Sequence, residues 1–567
     1  MTAMSYAHGI APHALRAETI ADVFDRITAE HGSQVAIVSR HQQVRYTYAA
    51  LRREVDHAAE ALRALGVQRG DRVALWSTSR AEWLIAQYAI AKAGAVLVAL
   101  NPAYTNAELV GTLRHSGARL LIAAEPPFRE GAAPRVSEVA RALKDGGGPS
   151  THAIRPQPVQ VVCFDAAPDD CLDWRDLLTW GGGMPASVSP PRSQYDDAAC
   201  ILYTSGTTGA PKGATMSHYS LVNSGVFVGD RLRYTAGDRI CLPVPLFHTF
   251  GLVMGALAAL THGSTLVLPS HVFDPKAALE AIAEEQCTAV YGVPAQFRAM
   301  LAHRHFHRHR TASLRTGIMA GSPCPASLVR EVMTSMHARE LTICYGMTEA
   351  GTLCQTLPED SPDDRTGTVG AVHPHVECKV VDPATERTVP RGEPGELWAR
   401  GYCMMSGYWS DDAATRRAMT ATGWIRTGDL AVMEAGGHVR IIDRLKDLII
   451  SGGQNIYPQE VEAVLRSHPQ VRDVAVVGVP DALHDEIVCA WIEPLPGETP
   501  DPDEVKRFCR GRTAAYNIPR RIVVTEALPR TATGKIQKFS LREHAAIPRD
   551  AGAPIAVTAA TPEPSTH

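Results

Sequence analysis

The sequence predicts an α/β protein with a large N-terminal region of several subdomains, built from parallel-type sheets and crossover helices, and a small α+β domain at the C-terminus. The chain has 567 residues, which is too long for one hydrophobic core. Short β-rich runs alternate with helical stretches through the first three quarters of the chain. Near Asp443 this rhythm gives way to a charged turn, DRLKD. We therefore expect the large region at residues 1–442 and the small domain at residues 443–546.

The elements of the large region follow from hydrophobic periodicity and from end signals. Thr47 is expected to cap a helix that stops at Gly66, and Gly94 is expected to end the next helix. Strands are expected at DRVALWS, AVLVALN, THGSTLVLPS and TAVYGVP, and a further helix at KAALEAIAEEQC. Because helices alternate with strands, crossover connections in parallel sheets are the expected arrangement.

The small domain is expected to contain two helices and at least three strands. One helix should run from Pro458 to Arg466, and the other should form at DEVKRFCR. The strands are expected at VRDVAVVGV, IVCAWIEP and RRIVVTEAL. Residues 547–567 are rich in Pro, Ala and Thr, so we expect a disordered tail there.

Composition narrows the class of protein. Hydrophobic residues make up 45% of the chain and charged residues 20%, and the net charge of -4 gives no electrostatic reason to expect nucleic acid or an anionic membrane as a partner. The twelve cysteines are scattered singly, which favours a reducing compartment. No basic stretch followed by an apolar run opens the sequence, and the longest apolar segment, Phe250–Leu260, is too short to span a bilayer. We expect a cytoplasmic protein without an integral membrane segment.

The stretch YTSGTTGAPKGAT, residues 203–215, has the composition of a phosphate-binding loop. It follows the strand-like run AACIL and precedes SHYSLVNSGVF, which predicts a helix. Glycines allow close approach of backbone N–H groups, hydroxyls add donors and a lysine adds a cation. The spacing differs from G-x-x-x-x-G-K-[ST], because the lysine follows Ala210 and Pro211. The candidate phosphate-binding residues are Thr204, Ser205, Gly206, Thr207, Thr208, Gly209 and Lys212.

Further motifs follow this loop in a specific order. They are PLFHTFG at 245–251, AGSPCP at 320–325, YGMTEAG at 345–351, GELWARGYCMMSGYW at 395–409, WIRTGDLA at 424–431, DRLKDLIISGGQNIYPQEVE and PRTATGKIQK. With them the chain resembles the adenylate-forming superfamily from about Glu18 to Glu543. AGSPCP, RGYCMMSGYW and GKIQKFSLRE are most similar to medium-chain fatty acyl-CoA ligases.

The resemblance implies an ATP- and Mg²⁺-dependent acyl-CoA synthetase. A carboxylate is a poor electrophile, so the acid is first joined to the α-phosphate of ATP as an acyl-adenylate, with release of pyrophosphate. The acyl group then passes to the thiol of CoA. The resemblance makes residues 1–442 an adenylation domain and residues 443–546 a mobile domain that carries a catalytic lysine.

The resemblance also implies roles for residues of the large region. In YGMTE, Tyr345 would lie against adenine, Thr348 would contact the α-phosphate and Glu349 would hold Mg²⁺. Asp429 would accept both ribose hydroxyls, and Arg444 would assist at the ribose or phosphate. Further nucleotide-site or pocket candidates are Gly321, Ser322 and Gly346.

In the small domain, the resemblance implies that Lys535 is the adenylation lysine, because an ammonium can bridge the incoming carboxylate and the α-phosphate. Lys446 would be the hinge, and Gly452 and Gly453 would approach the acceptor after the domain swings. The sequence departs from the family at two positions. Asp443 stands where glycine is frequent and Gln454 where glutamate is frequent, and both positions belong to the segment that contains the hinge and the glycine-rich loop.

The resemblance further predicts an acid longer than propionate. Acetate-preferring relatives close the acyl pocket with a tryptophan at the position of Gly346, where glycine leaves space. The pocket is expected near YGVP at 291–294, with Val253 and Met254 as apolar neighbours, and His248 is expected to flank the acyl and thiol channel. As a lone histidine, His248 is equally compatible with a packed core position.

Several alternatives stay open at this point. The acceptor could be a carrier protein instead of free CoA, and the chain could be a non-catalytic adenylate-binding pseudoenzyme, although Lys535, Glu349 and Asp429 are all present. A luciferase-like oxidation is not excluded by the motifs. Amino-acid adenylation is disfavoured because His248 stands where such domains present an aspartate. Neither the acid nor a homodimer can be read from the sequence.

Overall fold

The structure is a computed structural model that describes residues 3–125, 135–144, 159–168, 170–183, 193–204, 211–451, 454–481, 485–530 and 535–546. The predicted tail at 547–567 lies outside these residues. In the described residues the chain forms four sheets, with helices packed between and around them. The α/β class predicted from the sequence is confirmed.

The first sheet has nine strands. The strands between Glu340–Met347 and Val35–Ser39 run parallel, and antiparallel strands flank them at both edges. In spatial order the strands are Ala371–Val372, Gly351–Gln355, Glu340–Met347, Thr316–Ala320, Ala289–Gly292, Arg239–Cys241, Thr265–Leu268, Val35–Ser39 and Val44–Thr47.

The second sheet has eight strands, and all are parallel except for the two at one edge. In spatial order they are Gly407–Tyr408, Lys212–Ser217, Ala198–Thr204, Val96–Leu100, Arg72–Trp76, Ala118–Ala123, Gln160–Cys163 and Leu172–Asp173. The central strands are apolar on both faces, as expected for parallel strands covered by helices.

Two further sheets have five strands each. One is antiparallel throughout, in the order Tyr6–His8, Val376–Val381, Pro394–Gly401, Ile425–Met433 and Val439–Arg444. The alternation of helices and strands did not predict this sheet, because its strands are joined without crossover helices. The last sheet contains Gln454–Ile456, Ile449–Ser451, Asp485–Pro494 and Val471–Asp481, with Arg521–Val524 parallel to Asp485–Pro494.

The helices cover the sheets and bury apolar faces against them. Those of the first half are Ile20–Glu30, Tyr48–Ala64, Ala81–Lys92, Asn106–Ser116, Val136–Lys144, Trp174–Gly182, His218–Arg231, the π-helix Phe250–Leu257 and Ala258–Thr261. Those of the second half are Pro275–Glu284, Pro294–Leu301, Ala326–Ser335, Pro362–Gly367, Asp412–Ala418, Pro458–Arg466, Pro502–Cys509 and Lys538–Ala546. Short 3₁₀ turns lie at Arg308–Thr311, Leu445–Asp447 and Ala515–Asn517.

The predicted helix ends agree with the structure. Thr47 caps its helix by accepting a hydrogen bond from the backbone N–H of Ala50 at 3.1 Å. Gly66 and Gly94 follow their helices with φ of 81° and 76°, values in the left-handed region that favours glycine. The helix Pro458–Arg466 has the predicted bounds.

The phosphate-loop prediction needs one correction. The sequence suggested a strand, a loop and then a helix, but a second strand, Lys212–Ser217, intervenes before the helix His218–Arg231. It pairs antiparallel with Ala198–Thr204, so that Lys212 lies opposite Thr204. The strands on either side of residues 205–210 therefore form an antiparallel pair, and the second of them separates these residues from the helix in sequence. KGATMS was misassigned because Gly213 weakens the strand pattern.

The boundary between the two regions remains a prediction. Asp443 and Arg444 are the last residues of a strand of the antiparallel sheet, where they pair with Leu430 and Asp429. The 3₁₀ turn Leu445–Asp447 follows at once and leads into the last sheet. Within the described residues, no helix is long and apolar enough to cross a membrane.

Candidate active site

Three of the sheets contribute candidate residues that contact one another. Glu349 follows the strand Glu340–Met347 of the nine-stranded sheet, and Thr204 ends a strand of the eight-stranded sheet. Asp429 and Arg444 belong to neighbouring strands of the antiparallel sheet. Long-range contacts between these motifs are therefore a product of sheet packing, not of proximity in sequence.

Glu349 is the buried acid at the centre of the first cluster, with only 8% of its surface exposed. Its Oε1 accepts a hydrogen bond from the hydroxyl of Thr204 at 3.2 Å and another from the hydroxyl of Tyr408 at 2.9 Å. Its backbone carbonyl accepts from the N–H of Met405 at 2.9 Å. The carboxylate is thus oriented by two hydroxyl donors. Thr348, one residue earlier, is half-buried.

Tyr408 is a site residue that the motif analysis did not single out. Besides bonding Glu349, its ring lies 5.3 Å from the ammonium of Lys212, a cation–π contact. Burial and the neighbouring Glu349 raise the pKa of Tyr408, so the phenol stays protonated and can donate. The signal was present in the sequence, since Tyr408 lies in the quoted motif SGYW.

Asp429 forms the second cluster and is 4% exposed. Its Oδ2 accepts from the hydroxyl of Tyr345 at 2.5 Å, and its Oδ1 lies 2.8 Å from Nε of Arg444. Burial, followed by the charge of Asp429, raises the pKa of Tyr345 well above its ordinary value. Burial acts to lower the pKa of Arg444, but the charges of Asp429, Tyr345, Asp447 and Glu349 together outweigh it and the pKa is raised. Tyr345 and Arg444 therefore hold the two oxygens of Asp429 in place.

The donor set around Glu349 fits Mg²⁺. Within the described ranges no group of three or more His, Cys, Asp or Glu side chains could hold a metal ion by itself. Mg²⁺ commonly takes one or two protein carboxylates and completes its shell with substrate phosphates and water. A single buried carboxylate beside a hairpin of phosphate-loop composition matches this preference.

Lys535 joins the two clusters from the other end of the chain. Burial lowers the pKa of Lys535 and the charge of Arg444 lowers it further, whereas Asp429 and Glu349 act to raise it. The residue as a whole is exposed to solvent. Lys535 therefore lies within electrostatic reach of both carboxylates.

His248 lies two residues before the π-helix Phe250–Leu257. Burial lowers the pKa of His248 to about 4, and the charge of Lys535 contributes to the shift. Its Nδ1 accepts from the backbone N–H of Phe250 at 3.2 Å, at the start of the π-helix Phe250–Leu257. The imidazole is therefore neutral near pH 7. π-Helical turns often occur at functional sites, and this one was not predicted.

The proposed hinge, Lys446, is tied to the last helix. The guanidinium of Arg542 donates to the backbone carbonyl of Lys446 at 3.4 Å and to Oδ1 of Asp447 at 2.9 Å. Burial lowers the pKa of Lys446. These contacts fasten the helix Lys538–Ala546 to the segment where the two regions meet.

Some predicted residues are not placed in these clusters. Ser205, Gly206, Thr207, Thr208, Gly209, Gly452 and Gly453 lie outside the described residues. Gly321 and Ser322 are exposed, and Gly321 has a φ of 89°, which explains a glycine there on backbone grounds alone.

Two pocket predictions need revision. A Cβ on Gly346 would lie 2.1 Å from the carbonyl oxygen of Gly351, so the missing side chain permits close pairing with the neighbouring strand. Tyr291 is 0% exposed, donates to the carbonyl of Met254 at 2.8 Å and accepts from Tyr234 at 3.1 Å. Tyr291 is a packed core residue and does not line an open pocket.

The chain is similar to known proteins over most of its length. The sequence profile described as AMP-binding enzyme matches residues 24–409, and that of the AMP-binding enzyme C-terminal domain matches residues 460–535. The mitochondrial medium-chain acyl-CoA ligase ACSF2 of Danio rerio is 38% identical over 547 residues, covering 95% of this chain and 90% of the relative. The acyl-CoA ligase SID4 of Ajellomyces capsulatus is 36% identical, covering 95% and 93% of the two chains.

A solved structure extends the similarity to the fold. The crystal structure of ATP-bound MatB from Rhodopseudomonas palustris superposes with a TM-score of 0.81 at 29% identity, covering 92% of this chain and 98% of that chain. The match spans both the large region and the small one.

Proposed function

We propose that this chain, which belongs to the AMP-binding enzyme family and is an ATP-dependent, AMP-forming acyl-CoA synthetase, takes a medium-chain fatty acid as its substrate. ATP, a carboxylic acid and CoA are its reactants, and Mg²⁺ is its metal. The observation that carries the residue roles is that two buried carboxylates, Glu349 and Asp429, lie within electrostatic reach of the ammonium of Lys535.

In the first half-reaction, a carboxylate oxygen of the acid attacks the α-phosphorus, and the bond from phosphorus to the pyrophosphate oxygen breaks. Two anions must approach each other, so a fixed cation between them lowers the barrier. We assign this role to Lys535. The pKa of Lys535 is lowered because the site is buried and already contains Arg444. When the two substrates bind, their negative charges become partners of this ammonium.

Asp429 retains the capacity to hold the ribose. A carboxylate offers about four lone-pair positions. Tyr345 and Arg444 use one position on each oxygen. We propose that the ribose hydroxyls take the remaining two, and that the adenine lies near the Tyr345 ring.

Glu349 would hold Mg²⁺, which neutralises phosphate charge and polarises the reacting phosphorus when it is bound. Thr204 and Tyr408 fix the orientation of this carboxylate. Lys212 adds a cation on the neighbouring strand of the hairpin. We propose Thr348 as the α-phosphate contact on the basis of its place beside Glu349.

For the second half-reaction we propose that the small domain, residues 443–546, turns at Lys446 and withdraws Lys535, so that the CoA thiol can reach the adenylate. The thiolate sulfur then attacks the acyl carbon and AMP leaves. His248 is proposed to flank this channel. It is neutral near pH 7, so it would add no positive charge beside the adenylate.

The medium-chain assignment rests on the similarity to ligases of that name over most of the chain. We propose the cytoplasm as the compartment, because all twelve cysteines are free thiols and most are buried. The ACSF2 relative is named mitochondrial, so fractionation is needed to distinguish the two locations.

The test is ATP–pyrophosphate exchange against straight-chain acids of two to sixteen carbons, followed by CoA-dependent release of AMP. Exchange that is greatest with medium-chain acids, and AMP release that needs CoA, would support the proposal. Exchange with none of the acids, or equal exchange with acetate and the longer acids, would refute the substrate assignment. Exchange without acceleration by CoA would point to a carrier protein as the acceptor.

A further inference from the structure

Asp443 is a buried carboxylate without a role in the chemistry described above. It stands where glycine is frequent in the family, and only 1% of its surface is exposed. It is the penultimate residue of the strand Val439–Arg444, three residues before Lys446. A charged side chain buried at the junction of two regions needs partners, since an unpaired carboxylate would be costly there.

The partners of Asp443 lie on both sides of the junction. Its Oδ1 accepts from the backbone N–H of Arg444 at 2.8 Å, on its own strand. Its Oδ2 accepts from the backbone N–H of Gln459 at 2.9 Å, in the first turn of the helix Pro458–Arg466. The residue preceding this helix, Tyr457, makes no side-chain cap, so Asp443 supplies the capping oxygen from another element.

The same helix leads on to Lys535. Glu462, on the helix Pro458–Arg466, lies 2.7 Å from the ammonium of Lys538, and both side chains are buried or nearly so. Lys538 begins the last helix, three residues after Lys535. A rigid chain of contacts therefore runs from Asp443 through the capped helix to the segment that carries Lys535.

Opposing effects act on the pKa of Asp443. Burial raises the pKa of Asp443 to about 6, while Lys538 and the two backbone donors act against this rise and Glu462 adds to it. Arg444, on the same strand, directs its guanidinium to Asp429 instead. In water the same carboxyl would have a pKa of about 3.9.

We propose that Asp443 is a positioning residue that latches the small domain in the arrangement used for adenylation, and that breaking its bond to Gln459 accompanies the change to thioester formation. The inference rests on the proposed function, because it assumes a turn at Lys446. Such a turn leaves Asp443 with its strand and carries Gln459 and Lys538 away.

The sign of the pH effect follows from the two states. The carboxyl binds its proton more tightly in the latched arrangement than in water, so lowering the pH from about 6 to about 4 favours the latched arrangement. Above about pH 6, Asp443 is ionised in both arrangements. Its titration then no longer changes the equilibrium between the latched and the released arrangement.

The test compares the two half-reactions in single-turnover assays of the full chain. Asp443→Ala should slow pyrophosphate exchange about fivefold, the size expected for loss of one helix cap, while CoA transfer from supplied acyl-adenylate is not slowed. Asp443→Asn keeps an acceptor and should restore exchange. Being neutral at every pH, it should transfer more slowly than wild type at pH 7, and the difference should narrow as the pH falls toward about 4.

Gln459→Ala is the matched control, because it keeps the backbone N–H that Asp443 bonds and should leave both rates unchanged. Equal slowing of both half-reactions in Asp443→Ala, or no change in either, would overturn the latch. If wild type itself supports no exchange with any acid, the proposed function fails instead, so the two failures are distinguishable. Melting temperatures within about two degrees of wild type would show that the variants fold.

Discussion

Tyr408 donates its hydroxyl to Glu349 at 2.9 Å while its ring lies beneath the ammonium of Lys212 at 5.3 Å. One side chain thereby fixes the carboxylate proposed for Mg²⁺ and a lysine of the phosphate hairpin. Its own strand, Gly407–Tyr408, pairs with the hairpin strand Lys212–Ser217. Tyr408 therefore links the carboxylate and the lysine at the edge of the eight-stranded sheet.

Tyr408→Phe should lower kcat/KM for ATP about tenfold and raise the Mg²⁺ concentration needed for half-maximal rate. The ring stays under Lys212, but Glu349 loses a hydrogen bond, and bonds to charged groups contribute roughly 1.5 to 3 kcal/mol. Steady-state kinetics at varied Mg²⁺ measure both effects. Tyr195→Phe, at an exposed position, is the control. An unchanged Mg²⁺ dependence would contradict the role given to this bond.

Lys535→Ala should reduce pyrophosphate exchange by about 100-fold or more, a loss typical of removing one preorganised charge from an active site. Thioester formation from supplied acyl-adenylate should be preserved, because the lysine is proposed to have left by then. Rapid-quench measurement of each half-reaction separates the two. Lys276→Ala removes an exposed lysine and serves as the control. Equal loss in both half-reactions would argue against this division of labour.

Asp429→Asn should raise the KM for ATP about tenfold or more with little effect on the KM for the acid. The substitution removes the charge that holds Arg444 and weakens the acceptor offered to the ribose. Isothermal titration with a non-hydrolysable ATP analogue measures the affinity directly. Asp412→Asn, a nearby exposed position, should bind like wild type. If Asp429→Asn also binds like wild type, Asp429 does not contact the nucleotide.

Gly346→Ala distinguishes a packing role from a pocket role. The added Cβ would lie 2.1 Å from a backbone carbonyl of the neighbouring strand, so we expect a lower melting temperature and a similar loss of activity with all acids. The sequence-based expectation of a pocket predicts selective loss with longer acids instead. Thermal unfolding and a chain-length series decide between them. Unchanged stability with a shift toward short acids would restore the pocket interpretation.

The stability of the fold should fall as the pH drops from about 6.5 to about 4. Burial lowers the pKa of His218 to about 4, and its Nδ1 accepts from the backbone N–H of Ile20 at 3.3 Å. In this window the unfolded chain binds the proton and the folded chain does not. The free energy of unfolding should therefore fall by about 3 kcal/mol between pH 6.5 and pH 4.

Thermal unfolding across this pH range measures the effect. His218→Gln should be less stable than wild type at pH 7 and lose less stability on acidification. His8→Gln, at an exposed position, should follow the wild-type pH dependence. Parallel curves for wild type and His218→Gln would exclude His218 as a source of the pH dependence.

Local chemistry made much of the fold predictable. Thr47 and Gly66 mark helix ends because a hydroxyl satisfies first-turn N–H groups and glycine adopts positive φ, and both effects act within a few residues. The motif order likewise pointed to Lys535, Glu349 and Asp429. By contrast, the strand Lys212–Ser217 was missed because its pairing with Ala198–Thr204 outweighs the low strand propensity of its glycine.

The sequence alone determined the α/β class, the helix ends and the identity of the charged residues in the motifs, because these depend on neighbouring residues and on side-chain chemistry. Only the tertiary structure decided which charges meet. It placed Tyr408 on Glu349, set Arg444 opposite Asp429, packed Tyr291 into the core and bonded Asp443 to Gln459. These contacts join residues on different strands and helices, so they depend on how sheets pack and pair, which no local pattern specifies.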